Sequence, residues 1–317
     1  MSDLQQLIQA SRLYYELGET QSRVAELLGV TRPQVSRLLK RARAEGVVEI
    51  RIVDQAAAES PAGDQLRRRF GLAAVHLAPA LVGPEEISRR MIGRLAADVL
   101  RGAIRDGAVV GIGEGASISA MADAVAADEP IHETGATVVP LAGGYWFAGP
   151  AREPFRRVAD GIGGMAMGLL APGLVDDPAT KSALVAHAGV RRILELWDRL
   201  DVAVFGIGGP IWTAAALGAD AAAELDRSGA IGEVLVCPFD IDGRFVCDSL
   251  RDRTIAFDAR ELARIPVRIG VAGGAVKVRP ILGGLRGGLL TMLVTDQRTA
   301  EAVLALDEEG LDSGAGG

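Results

Sequence analysis

The 317-residue sequence contains few aromatic residues, cysteines and histidines. Aromatic side chains make up only 4% of it, beside 40 glycines, which predicts an aliphatic core and glycine-rich loops. Two cysteines are too few for a disulfide framework, which favours a reducing compartment. The three histidines, His76, His132 and His187, lack the spacing of metal ligands, so we expect neither a metal site nor a cofactor.

The sequence also lacks an apolar run that could cross a membrane. Two uncharged runs reach 18 residues, at positions 134–151 and 202–219, but glycine pairs and a proline interrupt both. The first residues contain no basic region followed by an apolar stretch, so no secretory signal is predicted. We therefore expect a soluble, cytoplasmic protein without a membrane partner.

The net charge of −7 and the pI of about 5.2 argue, taken alone, against a nucleic-acid-binding protein. The charge is unevenly spread, however. Residues 1–54 contain 8 basic and 7 acidic side chains, whereas the remainder contains 26 basic and 34 acidic ones. Residues 31–43 carry five basic side chains and no acidic one. The chain length predicts two domains, or one large domain with an appendage, and we place the two parts at residues 1–54 and 55–317.

Helical periodicity in residues 1–54 predicts an all-α domain that ends in a helix-turn-helix. Residues 21–40 form two short predicted helices around Gly29, which permits the sharp turn between them. The small side chain of Ala25 permits close approach of the second helix. Thr31 and Gln34 predict a capping box at the start of that helix, and Pro33 suits its first turn.

The outward face of the second helix carries the cationic residues, which favours DNA contact over a purely structural three-helix bundle. The residues predicted to contact DNA are Arg32, Gln34, Ser36, Arg37, Lys40 and Arg41. The first four lie near the helix start and are expected to face base edges in the major groove. The last two lie further along and are expected to contact phosphates. Residues 47–54, which follow, alternate in polarity and predict a strand.

Residues 55–317 predict an α/β domain built on a parallel sheet. A linker is predicted at residues 55–64, and strands and helices then alternate along the chain. Several of these strands are apolar on both faces, which is typical of a parallel sheet covered by helices on both sides. Further on, the segments EVLVCPF and GRFVCDS flank DIDG and predict a hairpin.

Glycine clusters follow four of the predicted strands, at the sheet edge where ligands bind in such folds. The clusters are Gly111, Gly113 and Gly115; Gly143 and Gly144; Gly206, Gly208 and Gly209; and Gly273 and Gly274. A tight turn would explain any one cluster, but four together favour a small anionic ligand held by backbone N–H groups. Ser117 is placed to begin a helix whose N-terminus holds a phosphate. The segment GIGEG does not match the nicotinamide fingerprint, because Ala116 stands where a third glycine is required.

Two charged residues of this domain are candidates for ligand binding. Lysine occurs only three times beside 31 arginines, and Lys277 follows a predicted buried strand and two glycines. Its ammonium group is placed to bind a phosphate, although a surface position would also explain it. Asp240 falls in the predicted hairpin turn, where turn formation explains it equally well.

Taken together, these segments resemble the SorC-type, DeoR-like sugar-binding family of bacterial transcriptional regulators. The resemblance rests above all on YYELGETQSRVAELLGVTRPQVSRLLKRARAEGVVEIRI and VAGGAVKVRPILGGLRGGLLTMLVTDQRTAEAVL, and also on GIGEGASIS, VVPLAGG, DVAVFGIGG and GAIGEVLVCPFDIDG. It implies an N-terminal helix-turn-helix and a Rossmann-like C-terminal domain similar to sugar-phosphate isomerases. It further implies a homodimer or homotetramer whose affinity for operator DNA changes when a phosphorylated sugar or polyol binds.

The resemblance also implies roles for individual residues. It places the phosphate loop at Gly113, Gly115 and Ser117, a conserved-type lysine at Lys277 and the hairpin acid at Asp240. With the other strand-end glycines, the predicted effector site is Gly113, Gly115, Ser117, Gly143, Gly144, Gly208, Asp240 and Lys277. Glu114 departs from the family pattern, and its carboxylate would oppose a highly charged ligand beside the phosphate loop.

The leading hypothesis is therefore a regulator of carbohydrate or polyol catabolism that responds to a phosphorylated effector and is not an enzyme. The alternative is a sugar-phosphate isomerase or Schiff-base aldolase with Lys277 as nucleophile. That alternative leaves the cationic helix unexplained. A third hypothesis, a non-specific DNA-binding protein, leaves the glycine-rich sheet without a role.

Overall fold

A computed structural model describes residues 3–48, 60–80, 83–127, 133–144, 153–209 and 219–314. The chain divides into two compact units, Met1–Gln55 and Ala56–Gly317, each of which is described by itself. This division falls one residue from the predicted boundary. Within the described ranges, no helix is both long enough and apolar enough to span a membrane.

In the amino-terminal unit, the described residues form a small helical bundle. Its helices are α1 (Asp3–Ser11), which a π-helical turn (Arg12–Glu16) extends, α2 (Gln21–Leu28) and α3 (Arg32–Ala44). Their apolar faces meet in one core, made of Ala10, Val24, Ala25, Val35 and Leu39. The predicted helix-turn-helix is confirmed. Positions 49–54 of the predicted strand lie outside the described residues.

Local hydrogen bonds fix the turn between α2 and α3. Gly29 ends α2 in the left-handed conformation, with φ +66°. At the start of α3, the Thr31 hydroxyl accepts from the Gln34 backbone N–H at 3.4 Å, and Gln34 Oε1 accepts from the Thr31 N–H at 2.7 Å. This reciprocal pair is the predicted capping box, which satisfies N–H groups that a helix start leaves without partners.

The second unit is built on a seven-stranded sheet in which all neighbouring strands are parallel. Its strands are β1 (Ala74–Ala78), β2 (Val109–Ile112), β3 (Thr137–Pro140), β4 (Met165–Ala166), β5 (Val202–Gly206), β8 (Val267–Val271) and β9 (Met292–Asp296). Two short strands, β6 (Gly232–Val234) and β7 (Cys237–Phe239), pair separately and antiparallel. The predicted α/β fold is confirmed.

Helices connect these strands. They are α4 (Pro61–Phe70), α5 (Glu85–Ala103), α6 (Ala116–Ala126), α7 (Pro154–Gly161), α8 (Pro178–Ala186), α9 (Ala188–Trp197), α10 (Ala219–Arg227), α11 (Asp248–Arg251), α12 (Val278–Arg286) and α13 (Gln297–Gly314), with 3-10 turns at Ala259–Arg264 and Ala275–Lys277. Helix α4 begins inside the predicted linker, so residues 61–64 were wrongly assigned to it. Proline favours the first position of a helix, and Asp64 in the first turn suits the helix dipole.

Both faces of the sheet are buried, because successive residues of its central strands point into different cores. On β5, Val202 and Val204 belong to one apolar cluster, whereas Ala203 and Phe205 belong to the other. Helices α5, α6 and α7 contribute buried residues to the first cluster, and α4, α12 and α13 contribute to the second. Because helices cover both faces, a ligand can reach the sheet only at the ends of its strands.

The strand order is β1-β9-β8-β5-β2-β3-β4. From β2 the chain winds outward to β3 and β4, and from β5 it winds in the opposite direction to β8 and β9. The order therefore reverses between β2 and β5. In open parallel sheets such a reversal leaves a crevice outside the carboxyl ends of the two strands, because their connections lead away to opposite sides.

The predicted hairpin differs from the observed one. The segment EVLVCPF is not a single strand but folds into β6, a turn at Leu235 and Val236, and β7. The DIDG segment also makes a turn, in which the Gly243 N–H donates to Asp240 O at 2.9 Å. Phe239, before this turn, forms an isolated bridge with Phe245, after it. The internal turn escaped prediction because leucine and valine are not turn-forming residues.

A buried carboxylate joins three helices of the second unit. The Asp307 side chain on α13 accepts from Arg286 Nε at 3.0 Å and Nη2 at 2.6 Å, and Arg69 Nε lies 2.5 Å from its other oxygen. Asp307 is only 5% exposed, and the two arginines come from α12 and α4. The two partly exposed arginines thus pair with a carboxylate that has little access to water.

Replacing Asp307 by alanine is expected to lower the free energy of unfolding by about 2–3 kcal/mol, because two partly buried arginines lose their shared partner. Urea unfolding measures this loss. Glu308→Ala is the matched control, since Glu308 is 66% exposed and lies 3.9 Å from Arg69; it should cost less than about 1 kcal/mol. Equal effects of the two substitutions would contradict the prediction.

Candidate functional site

A cavity of about 880 Å³ opens at the carboxyl ends of β2, β5, β8 and β9. Its lining comes from the ends of these strands and the segments that follow them: Glu114, Gly115, Ala116 and Ser117 after β2; Gly206, Ile207 and Gly208 at the end of β5; Gly273, Gly274, Ala275 and Lys277 after β8; and Asp296, Arg298 and Thr299 at the end of β9. The start of α5 and the turn between β6 and β7 complete the wall. This volume is in the range of small-molecule sites, and the cavity spans the point where the strand order reverses.

Four of the residues predicted to bind an effector line this cavity, namely Gly115, Ser117, Gly208 and Lys277. Gly113 lies behind its wall and is buried. A Cβ at Gly113 would come within 3.1 Å of Phe205 Cα, so this glycine permits close packing of β2 on β5. The structure therefore explains Gly113 by strand packing rather than by exposure to a ligand.

The other three predicted residues are not among the described residues that line the cavity. Gly143 and Gly144 donate their backbone N–H groups to Ile255 O at 2.9 Å and Ala171 O at 3.0 Å. Asp240 Oδ1 accepts from the N–H groups of residues 242 and 244, at 3.0 and 2.9 Å. Backbone hydrogen bonding thus accounts for all three, and a direct role at the cavity has no support in this geometry.

The N-terminus of α6 is open towards the cavity. Its N-cap residue is Gly115, at φ +117°, and no side chain caps the helix. The first bond of the helix runs from Ser119 N to Gly115 O at 2.8 Å, so the preceding N–H groups have no partner within the helix. Together with the helix dipole and the nearby Ser117 hydroxyl, these donors form an arrangement that suits an anion.

Glu114 adds a titratable group beside these donors. Its side chain is exposed to the cavity, directly before the start of α6. Desolvation by the surrounding protein and the negative charge of Glu153 raise the pKa of Glu114 to about 7. An anion at this end of the cavity therefore meets a carboxyl group that is close to half protonated at neutral pH.

Lys277 lies in the 3-10 turn that follows β8. Burial lowers the pKa of Lys277, and the facing carboxylates of Glu233 and Glu85 partly offset this effect. Within the described part of the chain, Lys277 forms no ion pair shorter than 4 Å. Its Nζ lies 3.7 Å from the position of a Cβ at Gly209, so the absence of a side chain there leaves room for the ammonium group.

A chain of hydrogen bonds fixes the turn that carries Lys277. The Gly274 N–H donates to Thr299 Oγ1 at 2.8 Å, and that hydroxyl donates to Asp296 Oδ2 at 2.6 Å. Asp296 Oδ1 also accepts from the Thr299 N–H at 3.0 Å and so caps α13. Asp296 thus positions the turn that carries Lys277.

Glu233 is a cavity residue that the sequence did not reveal. Its Oε2 accepts from the Val236 N–H at 2.8 Å, and its side chain lies against Gly208, where a Cβ would collide with it. Burial raises the pKa of Glu233, whereas the bond from Val236 and the charge of Lys277 lower it. In the sequence, Glu233 is a single acidic residue beside an apolar segment. A solvent-exposed position would explain such a residue equally well, so the sequence alone does not place it in the cavity.

Charged residues of both signs surround the rest of the cavity. Arg298 lines it from the start of α13 and Arg89 from the start of α5, and Arg89 Nη1 pairs with Glu86 Oε2 at 2.8 Å. Glu85 lines the same side. Among the described residues, no group of three or more histidine, cysteine, aspartate or glutamate side chains is arranged to hold a metal ion.

The cationic face of α3 is exposed to solvent. All six residues predicted to contact DNA are exposed: Arg32, Gln34, Ser36, Arg37, Lys40 and Arg41. Arg41 differs from the others, because Nη2 lies 2.5 Å from Asp3 Oδ2 and Nε lies 2.6 Å from Glu45 Oε1. Its guanidinium therefore ties α3 to the start of α1, a role that periodicity alone does not show.

Both units match known families. Residues 54–305 match the family profile described as "Putative sugar-binding domain", and residues 2–49 match that of the "Homeodomain-like domain". The sorbitol operon regulator of Klebsiella pneumoniae is 28% identical over 314 residues, which cover 95% of this chain and 98% of that protein. Transcriptional regulator LsrR of Enterobacter sp. (strain 638) is 31% identical over 301 residues, or 92% of this chain and 90% of that protein.

The similarity extends to three-dimensional structure. The crystal structure of full-length sorbitol operon regulator SorC from Klebsiella pneumoniae matches with a TM-score of 0.78 at 26% identity, covering 96% of this chain and 99% of that one. The chain therefore belongs to the SorC family of sugar-binding transcriptional regulators.

Proposed function

We propose that this protein binds operator DNA through α3 and that a phosphorylated sugar or polyol in the cavity controls this binding. The observation that carries the proposal is the convergence of the uncapped α6 N-terminus and Lys277 in one cavity at the strand-order reversal. Neutral backbone donors and a single ammonium group suit a phosphate monoester. One of the relatives is named as the sorbitol operon regulator, which agrees with an effector of this class.

In this proposal the phosphate accepts hydrogen bonds from the first turn of α6 and from the Ser117 hydroxyl. Lys277 contributes its positive charge from the neighbouring side of the cavity. Gly115 leaves room for the ligand, whereas the space beside Gly208 is taken by the Glu233 side chain. Gly113, Gly143, Gly144 and Asp240 are left out of the proposed contacts, because packing and backbone hydrogen bonds explain them.

At the DNA, Arg32, Ser36 and Arg37 are proposed to face base edges, and Lys40 a phosphate. Gln34 keeps only its amide N–H₂ group for DNA, since its Oε1 closes the capping box. Arg41 is proposed to contribute less than the sequence indicates, because its guanidinium is already paired with two carboxylates.

The protein is further proposed to act as a homodimer or homotetramer. Two recognition helices can then read two half-sites that lie about one helical turn of DNA, or a multiple of it, apart. An effector that favours one arrangement of subunits changes the operator affinity, and by linkage the operator changes effector affinity by the same factor. Catalysis at Lys277 is not part of the proposal, since the relatives along the whole chain are named as regulators.

Footprinting of the purified protein on the DNA upstream of its own gene tests the proposal, with and without a panel of sugar and polyol phosphates. We expect a protected site on this DNA, and we expect at least one of the sugar or polyol phosphates to weaken or strengthen the protection. A parallel thermal-shift screen identifies the ligand, because a compound at 100 times its Kd stabilises the protein by about 2.7 kcal/mol. No protection under any condition would refute the proposal.

Replacing Lys277 by alanine is expected to weaken effector binding at least tenfold, since a hydrogen bond to a charged group contributes about 1.5–3 kcal/mol. Operator affinity without effector should stay unchanged. Calorimetry and footprinting measure the two quantities. Lys181→Ala is the control, because Lys181 lies outside the cavity and donates to Arg251 O at 2.8 Å; a similar loss there would argue against a specific role for Lys277.

On α3, Lys40→Ala is expected to lower the slope of log operator affinity against log salt concentration by about 1, which corresponds to the loss of one phosphate contact. Arg41→Ala should reduce it less, because Asp3 and Glu45 already neutralise that guanidinium. Arg37→Ala should lower discrimination between base pairs by about 1–3 kcal/mol. Fluorescence titrations at several salt concentrations separate these effects, and equal salt slopes for the Lys40 and Arg41 variants would contradict the assignment.

Effector affinity is also expected to depend on pH through Glu114. Below pH 6 the carboxyl is largely neutral and above pH 8 it is ionised, so the affinity for an anion should fall as the pH rises through 7. The phosphate itself ionises in this range. The quantity to measure is therefore the affinity ratio between the wild type and Glu114→Gln, which should fall roughly fivefold from pH 6 to pH 8. A constant ratio would exclude Glu114 from the effector site.

A further inference from the structure

Helices α6 and α7 lie side by side, and one arginine occupies the space between their first turns. The two helices run in the same direction, because Arg157 in the first turn of α7 contacts Ser119 in the first turn of α6, whereas Gly161 at the end of α7 packs against Val125. At that far end the helices touch directly, since a Cβ at Gly161 would collide with Val125 O. Near the cavity, the side chain of Arg157 spans the distance between the helices.

The guanidinium of Arg157 binds the first turn of α6 at two points. Its Nη1 donates to Ser119 O at 3.2 Å, and its Nη2 donates to Ser119 Oγ at 3.1 Å. Nη1 also pairs with the exposed carboxylate of Asp123, one turn further along α6. Ser119 is the residue whose N–H makes the first hydrogen bond of the helix, to Gly115 O. Two bonds to one residue fix both the distance and the rotation of this turn relative to α7.

Arg157 is more deeply buried than a charged side chain usually is. It is only 12% exposed, and its Nε atom is buried without a hydrogen-bond partner in the part of the chain that the structure describes. Such an unpaired atom costs free energy, and an apolar side chain of similar volume would often give the same stability or more. The stability of the helix pair is therefore a poor explanation for an arginine at this position.

The orientation of the first turn of α6 decides how well an anion can bind there. The N–H groups that precede Ser119 have no partner within the helix, and the residues that carry them lie at the cavity wall. Hydrogen bonds weaken steeply when their angle falls below about 120°, so a tilt of this turn would lower the affinity for phosphate. Helix α5 holds α6 from another side, where a Cβ at Gly93 would lie 2.6 Å from Ala120 C. From the side of α7, Arg157 provides the hydrogen bonds to the first turn.

We propose that Arg157 is a positioning residue of the effector site. From α7 it holds the first turn of α6 in the orientation in which the N–H groups of that turn meet the effector phosphate. This inference rests on the proposed function. Arg157 is not among the described residues that line the cavity, so it acts through Ser119 and not by contact with the ligand. The phosphate affinity of the cavity therefore depends on a side chain that lies behind the cavity wall.

The test measures the binding of inorganic phosphate to the full-length protein by the NMR shifts of the backbone amides of residues 116–119. Arg157→Met retains an unbranched side chain but removes the guanidinium, so phosphate binding should weaken roughly fivefold or more as the donors lose their alignment. Arg101→Met is the matched control, because Arg101 on α5 donates to Val125 O at 3.0 Å, in the last turn of the same helix. It should change the phosphate affinity by less than about twofold, since that turn carries none of the proposed donors. Equal losses of affinity in the two variants would overturn the inference.

Two further measurements separate positioning from stability and from charge. The Tm of both variants is measured, and a loss of phosphate affinity that merely follows the decrease in Tm would count against a positioning role. Arg157→Lys keeps the positive charge but not the planar fork that reaches both Ser119 oxygens, so it should bind phosphate about twofold or more weakly than the wild type. Wild-type affinity in this variant would overturn the inference, because charge alone would then suffice.

The same lysine variant keeps the test decisive if Arg157→Met does not fold, as judged by circular dichroism. A failure of the proposed function gives a different result from a failure of this inference. If neither inorganic phosphate nor any sugar or polyol phosphate shifts the amides of residues 116–119 in the wild type, the proposed function itself fails. If the wild type binds and Arg157→Met binds equally well, only the role of Arg157 fails.

Discussion

The burial of the seven-stranded sheet on both faces is the constraint on which the second unit depends. Val202, Ala203, Val204 and Phe205 point alternately into two apolar cores, so helices must cover both sides of the sheet. The only route to the sheet is then along the ends of its strands. The strand order reverses between β2 and β5, so the connections that follow these two strands lead to opposite sides of the sheet. The crevice between them is where the cavity lies.

That origin explains why backbone groups and loop residues, rather than strand side chains, form the site. Each strand ends in a different local structure: the open N-terminus of α6 after β2, the glycines after β5, the turn of Lys277 after β8 and the capped start of α13 after β9. Hydrogen bonds between loops then fix their relative positions, as Thr299 does between Asp296 and Gly274. The site is therefore held by the fold itself.

The features that sequence analysis predicted correctly are those that short segments determine. Gly29 and the capping box of Thr31 and Gln34 depend only on neighbouring residues, and the parallel sheet follows from apolar runs between helices. The position of Glu233 depends instead on a turn at Leu235 and Val236, residues that disfavour turns, so the segment reads as one strand. Pairing between distant residues also escaped prediction, such as that of Arg41 with Asp3.

In the proposed function, the distribution of charge allows two anionic ligands to bind one chain without competing. Operator DNA would be attracted by the exposed cations of α3, whereas the second unit, Ala56–Gly317, is acidic. Its cavity offers neutral N–H groups and one lysine that carboxylates face, and Arg89, one of the arginines in its wall, is paired with Glu86. In the proposed function such a site binds a small phosphate through close, directional donors but exerts little attraction at long range, so the phosphates of DNA are not drawn to it. The acidity of the chain as a whole is therefore compatible with DNA binding, because each ligand is recognised by a different form of positive potential.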